Sequence, residues 1–282
     1  MFKEDTPKGE TMFGFREGNS QIRNTAKAYK RIMIGIPMTG LVRSEWIMAR
    51  YSQVIPCNWS QVEAIQWLDQ YSPLDFTVAD ARNFIATAAV DQGFEWLFFL
   101  DHDTILPPAA FLKLNELMIH KEYPVWSGLY FTKSVPSEPL IYRGRGTGYY
   151  PDWKMGDLVW ADGVPMGCTL ISVKLLKVLY DESEAYMAGP TTVRRIFETP
   201  NRVWFSPEER RWFTATGTED LEWCSRVIRT GALKKAGWDE FADKEFPFVV
   251  DTSIFCKHID FGGVQYPSKG EEKQFMKEEE EK

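Results

Sequence analysis

Three groups of side chains in this sequence have types and spacings suited to metal or acid–base chemistry. The first is Asp101-His102-Asp103, which ends the apolar run Trp96-Leu97-Phe98-Phe99-Leu100. Carboxylates at i and i+2 of a strand leave on the same side, and a turn starting there aims both at one point. Two anions that close repel unless a proton or cation joins them. A hard divalent ion with oxygen ligands meets that need. The competing reading is a surface turn in which Asp103 caps the following helix. The second group is Thr218-Glu219-Asp220, ahead of the apolar positions Leu221, Trp223, Cys224, Val227 and Ile228. A threonine cap and an acidic first turn favoured by the helix dipole account for these three by themselves. The third is His258, which with His102 and His120 makes the chain's 3 histidines. A lone histidine is more often structural than a ligand.

The elements that must position these groups alternate along the chain. Arg31-Ile32-Met33-Ile34-Gly35-Ile36, stopped by Pro37, reads as a buried first strand. From Ser60 to Gln70, Val62, Ile65 and Leu68 beside Trp67 keep helical spacing behind a serine cap, which predicts a helix. Asp80 to Gln92 predicts another, with Ala81, Phe84, Ile85, Ala88 and Ala89 on one face and Gly93 closing it. Trp96–Leu100 is a second buried strand. Pro107-Pro108 opens a helix whose apolar face is Phe111, Leu114, Leu117 and Met118, and Pro124–Leu129 is a third strand. Strands and helices in this order predict an α/β fold with a mixed, mostly parallel central sheet flanked by helices. Ligands of such sheets bind beyond the carboxyl ends of the strands, where Asp101 stands.

The run from Ala81-Arg82-Asn83 through Glu95-Trp96-Leu97-Phe98-Phe99-Leu100-Asp101-His102-Asp103 resembles the nucleotide-sugar-binding half of family 2-like GT-A glycosyltransferases. In these an Arg-Asn helix precedes the strand bearing an Asp-x-Asp motif. The resemblance implies a Rossmann-like GT-A sheet in which Asp101 and Asp103 hold Mn²⁺ or Mg²⁺ on the diphosphate of a UDP- or GDP-linked sugar. It implies that Pro37 and Thr39, in the loop after the first strand, line the base and ribose. Asp80, Arg82, Asn83, Asp101 and His102 are carried over as donor contacts, Arg82 with its planar fork suiting phosphate. Asp162-Gly163-Val164-Pro165-Met166-Gly167 also resembles the family, and Gly163 and Gly167 would let the backbone approach a sugar whose hydroxyls Asp162 accepts. Asp220 takes the place of the inverting members' catalytic base, with Glu219 orienting it or binding the acceptor. His258 falls where such enzymes place a late metal-ligand histidine, completing an imidazole-plus-carboxylate site, and Lys257 beside it would offset phosphate charge. No Gln-x-x-Arg-Trp follows the acidic pair; Arg210-Arg211-Trp212 precedes it instead, which with the lack of an apolar run of membrane-spanning length argues against a processive polymer synthase. The resemblance covers about residues 31 to 265.

Composition sets the remaining bounds. The 282 residues, 44% hydrophobic, suffice for one large domain. It is expected over 31–265, with a donor half over about 31–130 and an acceptor half over about 131–265. Residues 1–30 read as a polar, flexible N-terminal arm and 266–282 as a charged, solvated tail. A net charge of -7 argues against a protein that grips nucleic acid. It leaves room for a diphosphate neutralised by a cation. Cys57, Cys168, Cys224 and Cys256 form no CxxC pair, favouring a reducing, cytoplasmic setting. No apolar run reaches membrane-spanning length. The acceptor is expected to be a glycan or other hydroxyl compound. Arg143–Trp160 and Asp181–Thr216 are expected to form acceptor-side loops or a lid, with Tyr149, Tyr150, Trp153 and Trp160 as stacking faces. Two other readings compete. A nucleotidyltransferase acting on sugar phosphates would carry a glycine- and lysine-rich phosphate loop where Pro37-Met38-Thr39-Gly40 stands. A non-catalytic carbohydrate-binding protein of the same fold would not need its acids.

Overall fold

The computed structural model describes residues 29–55, 65–72, 74–144 and 148–275. The predicted arm up to residue 28, Cys57 and the chain from 276 onward lie outside the described residues. The first strand, β1 (Tyr29–Ile36), is buried on both faces: Ile32, Met33, Ile34 and Ile36 are at most 1% exposed. That is why its apolar residues run consecutively instead of alternating. A short helix, α1 (Ser44–Tyr51), follows, then β2 (Ile65–Tyr71), α2 (Val78–Asp91) and β3 (Trp96–Leu100). β4 (Thr104–Ile105), α3 (Ala110–His120), β5 (Val125–Leu129), β6 (Leu158–Ala161), β7 (Cys168–Ser172) and α4 (Val173–Glu182) complete the middle of the chain. Two hairpins, β8 (Ala185–Ala188) with β9 (Thr191–Arg194) and β10 (Asn201–Ser206) with β11 (Arg211–Thr216), lead into α5 (Glu219–Arg229). The short helices α6 (Ala232–Lys235) and α7 (Asp239–Ala242) precede β12 (Phe248–Phe255), β13 (Lys257–Ile259), β14 (Gln265–Tyr266) and α8 (Lys269–Phe275).

Among the described residues the main sheet has 7 strands in the order β2-β1-β3-β7-β5-β12-β6. β2, β1, β3, β5 and β12 run one way, while β7 and β6 are antiparallel to their neighbours. This is the mixed, mostly parallel α/β architecture the sequence predicts. Side chains alternate between two apolar layers, as successive strand residues must. Leu97 and Phe99 pack with Ile85, Ala89, Ile171 and Trp223, whereas Trp96, Phe98 and Leu100 pack with Trp46, Phe111, Leu114 and Leu170.

The helix predicted from Ser60 to Gln70 is corrected in its described part; residues 60–64 lie outside the described residues. Residues 65–71 are an edge strand paired in parallel with β1, Tyr29 opposite Ile65 and Ile36 opposite Tyr71. The three-residue spacing of Val62, Ile65 and Leu68 suits a helix, but Ile65, Trp67 and Tyr71 also lie at even spacing, and pairing along β1 decides between the two. The Lys/Glu-rich end also differs from a solvated tail in its described part. Phe275 stacks on Trp153 with ring centroids 5.6 Å apart and meets Phe131 at 5.0 Å, while Glu271 accepts from the Ser137 amide at 2.9 Å. Charged neighbours on the exposed face mask this anchoring phenylalanine in the sequence.

A second, three-stranded sheet, β14-β13-β4, brings the late chain to the site. His258 sits opposite Thr104, and the Ile259 amide donates to the Asp103 carbonyl at 2.8 Å.

Candidate functional site

The Asp101-His102-Asp103 turn follows β3, whose five residues are all buried. Its backbone is held from two directions: the Asp101 amide donates to the Gly167 carbonyl at 3.0 Å, and Trp46 Nε1 donates to the Asp101 carbonyl at 2.8 Å. His102 staples the turn to the loop after β1. Its Nδ1 lies 3.0 Å from the Pro37 carbonyl and its Nε2 2.9 Å from Thr39 Oγ1. A carbonyl only accepts, so Nδ1 carries the proton, and in the neutral ring Nε2 accepts from the Thr39 hydroxyl. Pro37, Thr39 and His102 are therefore brought together, as expected of residues lining one site.

Asp101 faces inward. Its Oδ2 takes a hydrogen bond from Arg82 Nη2 at 3.0 Å, and Arg82 Nε donates to Glu219 Oε1, also at 3.0 Å. One guanidinium thus joins carboxylates that lie 19 and 137 positions away in sequence. Burial works to lower the Arg82 pKa, but Asp101 and Glu219 outweigh it and keep the group charged. Arg82 Nη1 and Asp101 Oδ1 are both buried without a hydrogen-bond partner.

Next to Glu219 stands Asp220. Burial, then the neighbouring Glu219 charge, push its pKa up to about 6. Thr218 holds the N-cap position of α5 without a side-chain cap bond, and Asp220 itself accepts from the Leu221 amide at 2.7 Å. The Asp220 charge reaches two phenols, Tyr130 and Tyr142, contributing after burial to raising both.

Asp103 faces outward, to a different set of partners. Lys133 Nζ is 2.6 Å from its Oδ2, and His258 Nε2 is 3.4 Å from its Oδ1. Burial works to raise the Asp103 carboxyl, but His258 and then Lys133 outweigh it and hold it well below the usual carboxylate range. His258 Nδ1 lies 2.9 Å from the Phe131 carbonyl and must donate to it. In the neutral ring the Nε2 lone pair then points at a carboxylate oxygen, an arrangement that calls for a cation or proton between them. Such an outer carbonyl also fixes the tautomer of metal-binding histidines. The helix-cap alternative for Asp103 falls away, since α3 starts at Ala110 with Ala109 at its N-cap and no side-chain cap.

The fit to a divalent ion is therefore specific but open. Asp103 Oδ1 and His258 Nε2 offer a facing pair of lone pairs, and Asp101 Oδ1 is buried without a partner. Among the described residues no three His, Cys, Asp or Glu side chains already converge as a cage. Asp101 is turned toward Arg82 instead of joining the other two.

Several expected donor contacts are engaged elsewhere. Asn83, 1% exposed, gives its amide to the Phe197 carbonyl and Tyr186 hydroxyl and accepts from the Phe197 amide, so it is a clamp inside the fold. Asp80 closes the N-terminus of α2 with Thr77 and takes the Tyr186 hydroxyl at 2.5 Å. Lys257 pairs with Glu272 of α8 at 2.6 Å. The glycines have packing reasons: a Cβ on Gly167 would come within 2.5 Å of the Tyr130 hydroxyl, and one on Gly163 within 2.8 Å of Leu221. Asp162 accepts from the Gly144 amide at 3.2 Å and, with Gly163, lines a cavity of about 220 Å³ bounded also by Tyr142, Gly217, Thr218 and Leu221. Trp153 and Trp160 pack against Phe275 and Phe241 instead of offering free faces. Tyr149 is exposed, and further exposed aromatics lie on the β10–β11 hairpin, where Trp212 is 69% exposed.

Two participants escape the sequence reading. Lys133 follows β5, so the rule that polar residues just past strand ends face the ligand points to it. Tyr130, whose hydroxyl takes the Gly167 amide at 2.7 Å, is the first residue past the same strand, and the same rule points to it.

The sequence matches no family profile and no curated protein. Among solved structures, A197 from STIV is similar with a TM-score of 0.46 and 17% identity, covering 82% of this chain and 86% of that one. An S. aureus TarS fragment (residues 1–349, in complex with UDP) gives a TM-score of 0.32 and 12% identity over 52% of this chain and 48% of that chain. A glycosyltransferase involved in glycosylation of the major capsid of PBCV-1 gives 0.30 and 13%, over 54% and 66%. No helix among the described residues is long and apolar enough to cross a membrane.

Proposed function

We propose that this chain is a metal-dependent, inverting glycosyltransferase that moves a sugar from a nucleotide-diphosphate sugar to an acceptor hydroxyl. The observation that carries the reading is the Arg82 bridge. It holds a carboxylate turn suited to a cation against a helix N-terminus bearing a high-pKa carboxylate. Donor activation and acceptor deprotonation need those two kinds of group side by side.

Asp103 and His258 would hold Mn²⁺ or Mg²⁺ on the donor diphosphate. The bound ion would supply charge neutralisation for the leaving nucleoside diphosphate. Asp220 is the base. Its carboxylate takes the acceptor hydroxyl's proton as that oxygen bonds to the anomeric carbon, and the bond from that carbon to the diphosphate breaks. A pKa of about 6 leaves Asp220 ionised at neutral pH yet more basic than an ordinary carboxylate, which suits it to proton transfer. Glu219 is held by Arg82 and serves as an orienter. The cavity beside Thr218, Asp162 and Gly163 is the place for the acceptor. Pro37, Thr39 and His102 border the turn where the donor's nucleoside would lie.

The test is nucleotide release from a panel of UDP- and GDP-sugars, with Mn²⁺ and with chelator. Metal-dependent release of nucleoside diphosphate is the expected result. Release of sugar 1-phosphate, with the nucleoside monophosphate passed to water or to added pyrophosphate, would favour nucleotidyl transfer, and no metal-dependent release from any donor would overturn the reading.

A further inference from the structure

We infer that Lys133 is a ligand of the donor diphosphate, held in readiness by Asp103 until substrate arrives; this deepens the proposed function and rests on it. Lys133 lies in the 130–140 loop, whose ends are tied by the Leu140 amide on the Tyr130 carbonyl at 2.9 Å and the Thr132 amide on the Glu138 carbonyl at 2.9 Å. Glu271 of α8 braces the same loop through Ser137. The loop also supplies the Phe131 carbonyl that fixes His258, so one segment sets both the imidazole and the ammonium at Asp103.

The ammonium is placed to exchange partners. Its side chain is 33% exposed and its contact with Asp103 is an ion pair at the surface, the kind that contributes little to stability. Lys133 shares a small cavity with Arg43, His102, Asp103 and Asp260. Arg43 is committed there to Glu45 at 2.6 Å and to the Phe261 carbonyl at 3.1 Å. Lys133 has as its charged partner the very carboxylate that would ligate a cation. Once a divalent ion shares Asp103, the carboxylate attracts the ammonium less, and a diphosphate carrying more than one negative charge attracts it more. A flexible four-carbon stem allows that short transfer.

The experiment is calorimetric titration of wild type and Lys133→Met with UDP and GDP in the presence of Mn²⁺, and separately with Mn²⁺ alone. Lys133→Met is expected to weaken the nucleoside diphosphate that wild type binds by about 10- to 100-fold, the loss of one charge-assisted hydrogen bond. Affinity for Mn²⁺ alone should stay level or rise, because a competing cation is gone. Lys133→Arg should retain most of the nucleotide affinity. Equal nucleotide affinity in wild type and Lys133→Met would overturn the Lys133 role while leaving the proposed function standing. A parallel fall in Mn²⁺ affinity would also overturn it, since Lys133 would then only shape the loop. If wild type binds neither nucleotide with Mn²⁺, the proposed function fails and this inference with it.

Discussion

Two carboxylate–cation clusters lie within three residues of each other, and their surroundings give them opposite characters. At Asp101 the partner is Arg82, a side chain only 3% exposed, forked between two acids and lying 5.1 Å from the Phe99 ring centre. At Asp103 the partner is Lys133, a third exposed, on a loop. Buried and doubly bonded, the first pair cannot let go without leaving charge in an apolar interior. The second can be rearranged at small cost. The fold therefore uses one aspartate to tie the turn after β3 to the start of α5, and leaves the other in a pair that can be rearranged.

The largest break of this comparison is Arg82→Met. Asp101 and Glu219 would then face each other without their shared cation, and stability should fall by about 3–5 kcal/mol, read from denaturant unfolding. Arg82→Lys should recover only a minor part, because a single ammonium cannot reproduce the two-armed fork. A loss no greater than that of Lys133→Met would show that the two clusters do not differ in kind.

Asp220→Asn comes next. It should lower transfer about 10²- to 10⁴-fold while metal-dependent nucleotide binding persists. Loss of binding as well would make Asp220 a donor contact. The pH dependence follows from the raised pKa of about 6. A base must be ionised, so transfer should rise through about pH 6 and level off above it, an inflection absent from Asp220→Asn. For stability the sign is opposite. The folded state keeps a proton that the unfolded chain releases at lower pH, so this contribution is full below the ordinary carboxylate range and lost as pH rises through about 6.

Tyr130→Phe should cost about 1–3 kcal/mol, because the buried Gly167 amide loses its acceptor. Asp101 is tied to the Gly167 carbonyl, so the same variant should weaken nucleotide binding modestly. Unchanged stability would show that the Gly167 amide finds another acceptor.

The sequence showed what local pattern controls and hid what long-range contact controls. Apolar runs at Ile32–Ile36, Trp96–Leu100 and Val125–Leu129 marked central strands because those strands are buried on both faces. The two acidic motifs were legible because each sits where an apolar stretch starts or stops. β2 was not, because helical and extended spacings coexist in it and the neighbouring β1 decides. Arg82 was named, but its bridge to Glu219 depends on a contact that no local spacing encodes. Asp80 and Asn83 look like donor contacts in the sequence because nothing local reveals Tyr186 and Phe197 arriving from more than a hundred residues away.

The smallest expected effect sharpens the comparison most. Lys133→Met should change unfolding free energy by less than about 1 kcal/mol, because its pair with Asp103 is partly solvated and screened by salt. A double-mutant cycle of Lys133→Met with Asp103→Asn isolates the pair from the effect of either change alone. The coupling should be small and shrink further with added salt, whereas the Arg82→Met penalty should be nearly salt-independent. A strong, salt-insensitive coupling at Asp103 would mean that Lys133 is locked as Arg82 is, and the ammonium would then have no freedom to meet a diphosphate.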